Sequence, residues 1–99
     1  MKLIIYLFCL IFSLFLQAYD ENDLTTLKKT KKCENCDLKN ANLSKLDLSN
    51  AMLSGSNLSL ANLSNTNFFK ADLSYSSLVK SKIYIANLDF ANLEGANLT

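Results

Sequence analysis

Cys33-Glu34-Asn35-Cys36 is the one stretch of this chain whose residue types and spacing point directly at chemistry. Two cysteines three positions apart suit a zinc site, a thiol–disulfide couple or a structural disulfide. A closed zinc site needs about four ligands. The chain has no histidine, and its remaining cysteine, Cys9, lies in an apolar N-terminal run, so no metal site is expected. A redox role calls for a thioredoxin-like context, and none surrounds the motif. In an exported protein the pair suits a disulfide, or plain packing at the start of the array that follows; Cys33 and Cys36 are therefore a candidate disulfide. The lack of histidine also excludes Ser-His and Cys-His nucleophiles. Asn42, Asn57, Asn62 and Asn97 head Asn-x-Ser/Thr triplets, the acceptor pattern for N-glycosylation, but the repeat described next generates these automatically.

The element that must position such residues is a period of five. Leu38, Leu43, Leu48, Leu53, Leu58, Leu63, Phe68, Leu73, Leu78, Ile83, Leu88, Leu93 and Leu98 follow one another at five-residue steps without a skip. On an α-helix a step of five turns about 140° beyond a full circle, and on a flat strand it alternates faces. These side chains share one environment only if the backbone turns a corner once per repeat. The residue two before each is small throughout, apart from Leu46, and the residue between is Asn or Asp apart from Met52, Ser77 and Lys82. In extended backbone, residues two apart point the same way. The small and the bulky residue thus face in, the Asn or Asp faces out, and the two residues after the leucine form the corner.

Ahead of the array, Met1-Lys2 and the apolar run Leu3–Leu16, ending in Gln17-Ala18, read as a signal peptide over 1–18. The run is short for a membrane span, which needs roughly 20 residues. Its loss would remove Lys2 and leave nine of the ten basic residues against nine acidic ones. Residues 19–35 form a polar lead-in, with a short helix expected after a cap at Asn22 or Asp23. The array fills 36–99 and stops at Thr99 in mid-repeat. Its open last edge implies either a fragment or docking on another chain.

The recurring Ala-(Asp/Asn)-Leu-x-x pattern resembles the pentapeptide-repeat family, and the lead-in Leu27, Thr30-Lys31-Lys32-Cys33 and Cys36-Asp37-Leu38 is similar to a segment found before the first repeat in bacterial members. The resemblance implies an all-β fold, a right-handed quadrilateral β-helix of about three coils with four pentapeptides to a coil. Leu38, Leu58, Leu78 and Leu98 would then stack on one face. The carboxylates Asp37, Asp47, Asp72, Asp89 and Glu94 would be scattered outward over three faces, so no catalytic centre and no cofactor are expected.

The expected function is a non-catalytic structural or protein-interaction module, exported to the periplasm or outside. The outward apolar residues Leu60, Phe69, Tyr75, Val79, Tyr84, Ile85 and Phe90 are its candidate surface for a protein partner or self-association. Charge balance argues against nucleic acid, and no membrane contact is expected after leader cleavage. Some family members mimic DNA to regulate a topoisomerase, the first alternative. Those rely on an acidic rod in the cytoplasm, whereas this array has five acidic and five basic residues. A thiol redox protein using Cys33 and Cys36 is the other alternative.

Overall fold

The computed structural model describes residues 19–99 together with Lys2, Ile4, Ile5 and Leu7. The remainder of the expected leader, Cys9 included, lies outside the described residues. Among those described, no helix is long and apolar enough to cross a membrane.

Helix α1 spans Glu21–Thr30. Its N-cap is Asp20, not Asn22 or Asp23: the Asp20 carboxylate accepts from the Asn22 and Asp23 N–H groups at 2.8 and 3.1 Å. Asp20 has the extended backbone that a cap requires, and the acidic first turn and basic last turn suit the helix dipole. Lys31 closes the helix in the left-handed region, its N–H returning to the Leu27 carbonyl. Leu27 is fully buried in the core of the array, with Leu24 and Tyr19 packed against it. The Asp20 N–H donates to the Asp37 carbonyl, and the Asp37 N–H donates to the Asp23 carboxylate. The helix therefore covers the N-terminal end of the stack.

From Lys32 onward the chain coils with a period of twenty. Parallel bridges join Lys32 to Met52, Asp37 to Asn57, Asn42 to Asn62 and Asp47 to Asn67, and the series continues to Ser77 and Asn97. Twenty residues are four pentapeptides, so each coil has four sides. The first face carries Leu38, Leu58, Leu78 and Leu98 on its inner side; the second, Leu43, Leu63 and Ile83; the third, Leu48, Phe68 and Leu88; the fourth, Cys33, Leu53, Leu73 and Leu93. Coil geometry thus extends through Lys31–Asn35, ahead of residue 36. Pairing is confined to single-residue bridges separated by turns, without extended strands, because a chain that turns every five residues has one residue per side free to pair. The unpatterned stretch Ser76–Ile85 keeps its phase, with Ser77 and Lys82 both bridged.

A repeat with a coil on either side and an Asn or Asp in the outward slot satisfies all five of its N–H groups. In 56–60, Ser56 donates to the Leu53 carbonyl across the corner, Asn57 to Cys36 in the coil before, and Leu58 and Leu60 to Ser77 and Val79 in the coil after. The fifth donor, Ser59, finds the Asn57 side-chain oxygen at 3.0 Å. The same contact recurs from Asp37 to Lys39, Asn42 to Ser44, Asp47 to Ser49, Asn62 to Ser64 and onward to Asn97 and Thr99. The outward Asn or Asp is therefore a turn acceptor. Inside, the small slot leaves room for the neighbouring leucines. Where it holds a hydroxyl, that group is bonded: Ser56 to the Cys33 carbonyl, Thr66 to Leu43, Ser76 to Leu73.

Phe68 and leucines 38, 43, 53, 58, 63 and 73 are fully buried. Ile83, Leu88 and Leu93 of the last coil are half-buried, and Leu98 is exposed. Leu63→Ala should lower unfolding free energy by about 3 kcal/mol, since the rigid walls cannot close on the cavity; Leu98→Ala should cost about 1 kcal/mol or less. Chemical denaturation of the two variants measures the difference.

Candidate functional site

The corners are where the structure departs from its own regularity. The second residue after each inward leucine is left-handed at every corner, from Asn35 at φ 56° to Gly95 at φ 68°. Glycine and asparagine adopt this region most readily, and Asn35, Asn40, Asn50, Gly55, Asn65 and Gly95 follow that preference. Leu60, Tyr75, Ile85 and Phe90 do not, at φ 61°, 57°, 59° and 60°. A β-branched residue at positive φ is an outlier that costs about 1–2 kcal/mol. Ile85 bears that strain while 85% exposed, so burial does not offset it.

The seven outward apolar residues occupy all four corners. Leu60 and Val79 stack between the first and second faces, where the Leu60 N–H donates to the Val79 carbonyl. Tyr84 and Ile85 lie between the second and third. Phe69 and Phe90 lie between the third and fourth and meet edge-to-face at 5.7 Å, with the Lys70 ammonium 5.3 Å from the Phe69 ring centre. Tyr75 stands alone on the last corner with an internal task. Its ring lies over Gly95, where a Cβ would come within 2.5 Å of the ring, and its hydroxyl donates to Glu94. Four of the seven therefore border one face, the second.

That face is also chemically one-sided. Its outer row is Asn42, Asn62 and Lys82. Lys39 and Lys80 lie on the corner beside Leu60 and Val79, and Lys45 lies on the corner below Tyr84 and Ile85. All four lysines are exposed. Asp37 and Asp47 belong to the neighbouring faces, so the second face and its corners hold four lysines and no carboxylate. Among the described residues the one ion pair is Lys31–Asp47, at 3.7 Å, so these four cations are unpaired. Val79 and Tyr84 follow Ser77 and Lys82, two of the three positions lacking the Asn or Asp acceptor. Sequence reasoning found the apolar residues and missed the basic face, because Lys39 and Lys45 meet Lys80 and Lys82 only when the chain is wound with a period of twenty.

Cys33 and Cys36 form a disulfide with Cα atoms 5.5 Å apart. Both residues are largely buried, 3% and 9% exposed, and Ser56 ties them together by accepting from the Cys36 N–H and donating to the Cys33 carbonyl. The Cys33 sulfur lies 3.2 Å from the Asp23 carbonyl oxygen, a contact without a donor because the sulfur carries no proton. Asp23, Cys33 and Cys36 bring their donor atoms within 4.8 Å of one another; with both sulfurs in the disulfide, Asp23 alone offers a free ligand. No concave pocket opens among the described residues.

The carboxylates stay dispersed: Asp37 on the first face, Asp47 on the third, Asp72 on the fourth, and Asp89 and Glu94 on the corners flanking the fourth. The Ser74 hydroxyl and then the Ser74 N–H, at 2.6 and 3.0 Å, hold the Asp72 carboxyl below the usual carboxylate range. A lowered folded-state pKa means stability present above the unfolded value and lost as pH falls through the folded one. Stability should therefore fall below about pH 4, and Asp72→Asn, which keeps the acceptor but cannot titrate, should flatten that fall when denaturation is followed against pH.

Residues 32–68, 47–84 and 61–99 match the family profile "Pentapeptide repeats (8 copies)". The chain belongs to the pentapeptide-repeat family. Among solved structures it is similar to alr5209, a pentapeptide repeat protein from Nostoc Pcc 7120, at 25% identity over 78% of each chain and a TM-score of 0.30. It is also similar to Rfr23, a pentapeptide repeat protein from the cyanobacterium Cyanothece 51142, at 20% identity over 77% of this chain and 92% of that one, with a TM-score of 0.28. No curated protein matches.

Replacing Ile85 by Asn should raise unfolding free energy by about 1 kcal/mol by relieving left-handed strain. Equilibrium denaturation checks this, and an unchanged or lower stability would show that the Ile85 side chain supports the fold.

Proposed function

We propose that this chain is an exported, non-catalytic protein-interaction module, a right-handed quadrilateral β-helix whose second face and corners contact a protein partner. The observation that carries the reading is Ile85, a β-branched residue kept at a strained corner where the fold needs only a turn and where its side chain lies in water. Strain without local benefit concentrates at functional positions. Exposed Tyr84 and Leu60 and half-buried Val79 extend the apolar surface, and apolar groups rimmed by polar ones suit protein contacts. The four unpaired lysines support this reading over a DNA mimic, which needs an acidic surface. The N-terminal apolar run and the Cys33–Cys36 disulfide support export, since disulfides persist in oxidising compartments.

The test has two arms. Cells expressing the full chain are fractionated, and the N-terminus of the product is sequenced; processing after Ala18 in the exported fraction is expected, and an unprocessed cytoplasmic product would remove the export half of the proposal. A photo-crosslinking residue is then placed at Tyr84 and, as a control, at Asn97 on the first face. A discrete protein adduct from position 84 that disappears with Ile85→Asn is expected. Enrichment of a topoisomerase would favour the DNA-mimic alternative.

A further inference from the structure

The side of the stack opposite the basic face carries the complementary chemistry. Asp72 lies on the fourth face, Asp89 on one of its corners, and Glu34 and Glu94 on the other, against three cations, Lys31, Lys32 and Lys70, of which Lys31 is paired with Asp47 of the third face. Exposed apolar groups accompany them as they do on the second face: Met52, Tyr75 and Phe90. One side is thus wholly basic between apolar corners, and the opposite side is net acidic among apolar and aromatic groups. The array nevertheless balances to five charges of each sign.

We infer that the occupant of the basic face is the acidic fourth face of a second copy of this chain. This rests on the interaction reading above and names the partner. Two different patches meet, so the contact is heterologous and does not close; each copy keeps one free basic and one free acidic face, and copies line up side by side. Three coils at about 4.8 Å make a face roughly 15 Å tall, below the area of a stable pairwise complex. Single contacts are therefore weak, and growth along the row is read best at high protein concentration. The contact is electrostatic at its centre, so salt weakens it.

Two charge-reversed variants test the pairing in protein purified from cells expressing the full chain. Lys39→Glu with Lys82→Glu makes the basic face acidic. Asp89→Lys with Glu94→Lys makes the acidic side basic. Neither pair touches a left-handed corner residue or a turn acceptor, and thermal melting confirms that each variant folds. Should one fail to fold, Lys39→Gln with Lys82→Gln, or Asp89→Asn with Glu94→Gln, replaces it, with a smaller loss expected. Sedimentation velocity at about 10 mM salt should show concentration-dependent assembly of the unaltered protein, lost at about 1 M, where the Debye length falls from ~30 to ~3 Å. Each variant alone should assemble at least tenfold more weakly, and an equimolar mixture of the two should recover assembly. A monomer at every concentration overturns the inference while leaving the crosslinking result at Tyr84 to decide whether another partner exists. Assembly unaffected by either reversal, or a mixture that fails to recover, overturns the pairing of these two faces. Binding of the monomer to phosphatidylglycerol vesicles, lost in the lysine variant alone, assigns the basic face to lipid and likewise overturns it.

Discussion

Everything in this stack depends on finding partners for five N–H groups in every five residues. In a repeat flanked by coils and bearing the Asn or Asp, three reach neighbouring coils, one closes the corner onto the preceding leucine carbonyl, and one is captured by the Asn or Asp side chain. A buried backbone donor without an acceptor costs as much as a lost hydrogen bond. The walls are one residue thick, so donors near the interior have little water to fall back on. That constraint explains why the outward slot, free to vary on grounds of packing alone, is so often Asn or Asp. It also explains why the chain turns at five and not at four or six: the corner bond, the side-chain acceptor and the two coil-to-coil rungs all fit one left-handed residue per repeat.

Much of this was legible in the sequence, and the parts that were not have physical reasons. The stacking of Leu38, Leu58, Leu78 and Leu98 follows from the period and the family resemblance. The buried hydroxyls Ser56, Thr66 and Ser76 sit in slots recognised as small, but nothing in residue size reveals that each binds a carbonyl. Asp20 was hidden as a cap because Asn22 and Asp23 offer the same chemistry two and three positions later. The left-handed corners were hidden for the opposite reason. Asn and Gly at positions 35, 40, 55 and 95 suggest them, while Leu60, Tyr75, Ile85 and Phe90 contradict that preference. Local preference fails where side-chain type serves something other than the local backbone.

The same distinction sorts the outward apolar residues of the corners. Read along the chain they form one group in its second half. Wound into coils they separate: Phe69 and Phe90 stack on each other, Tyr75 shelters Gly95, and Leu60, Val79, Tyr84 and Ile85 remain to frame a face. The lysines undergo the reverse change. Scattered in sequence, they converge because positions that differ by about twenty or forty share a side.

The twenty-residue bridge spacing has a consequence for how such a chain diversifies. Duplicating or deleting one pentapeptide keeps the five-residue phase on which the corner bonds and the coil-to-coil rungs depend. Yet everything beyond the change is turned by a quarter revolution relative to what came before. Lysines on one side would then continue into residues from another side, and a surface assembled across coils would be dismantled while the coils still stack. A change of four pentapeptides lengthens the stack by one storey and leaves its sides aligned. Stability in this architecture therefore has a unit of five residues, whereas surface identity has a unit of twenty.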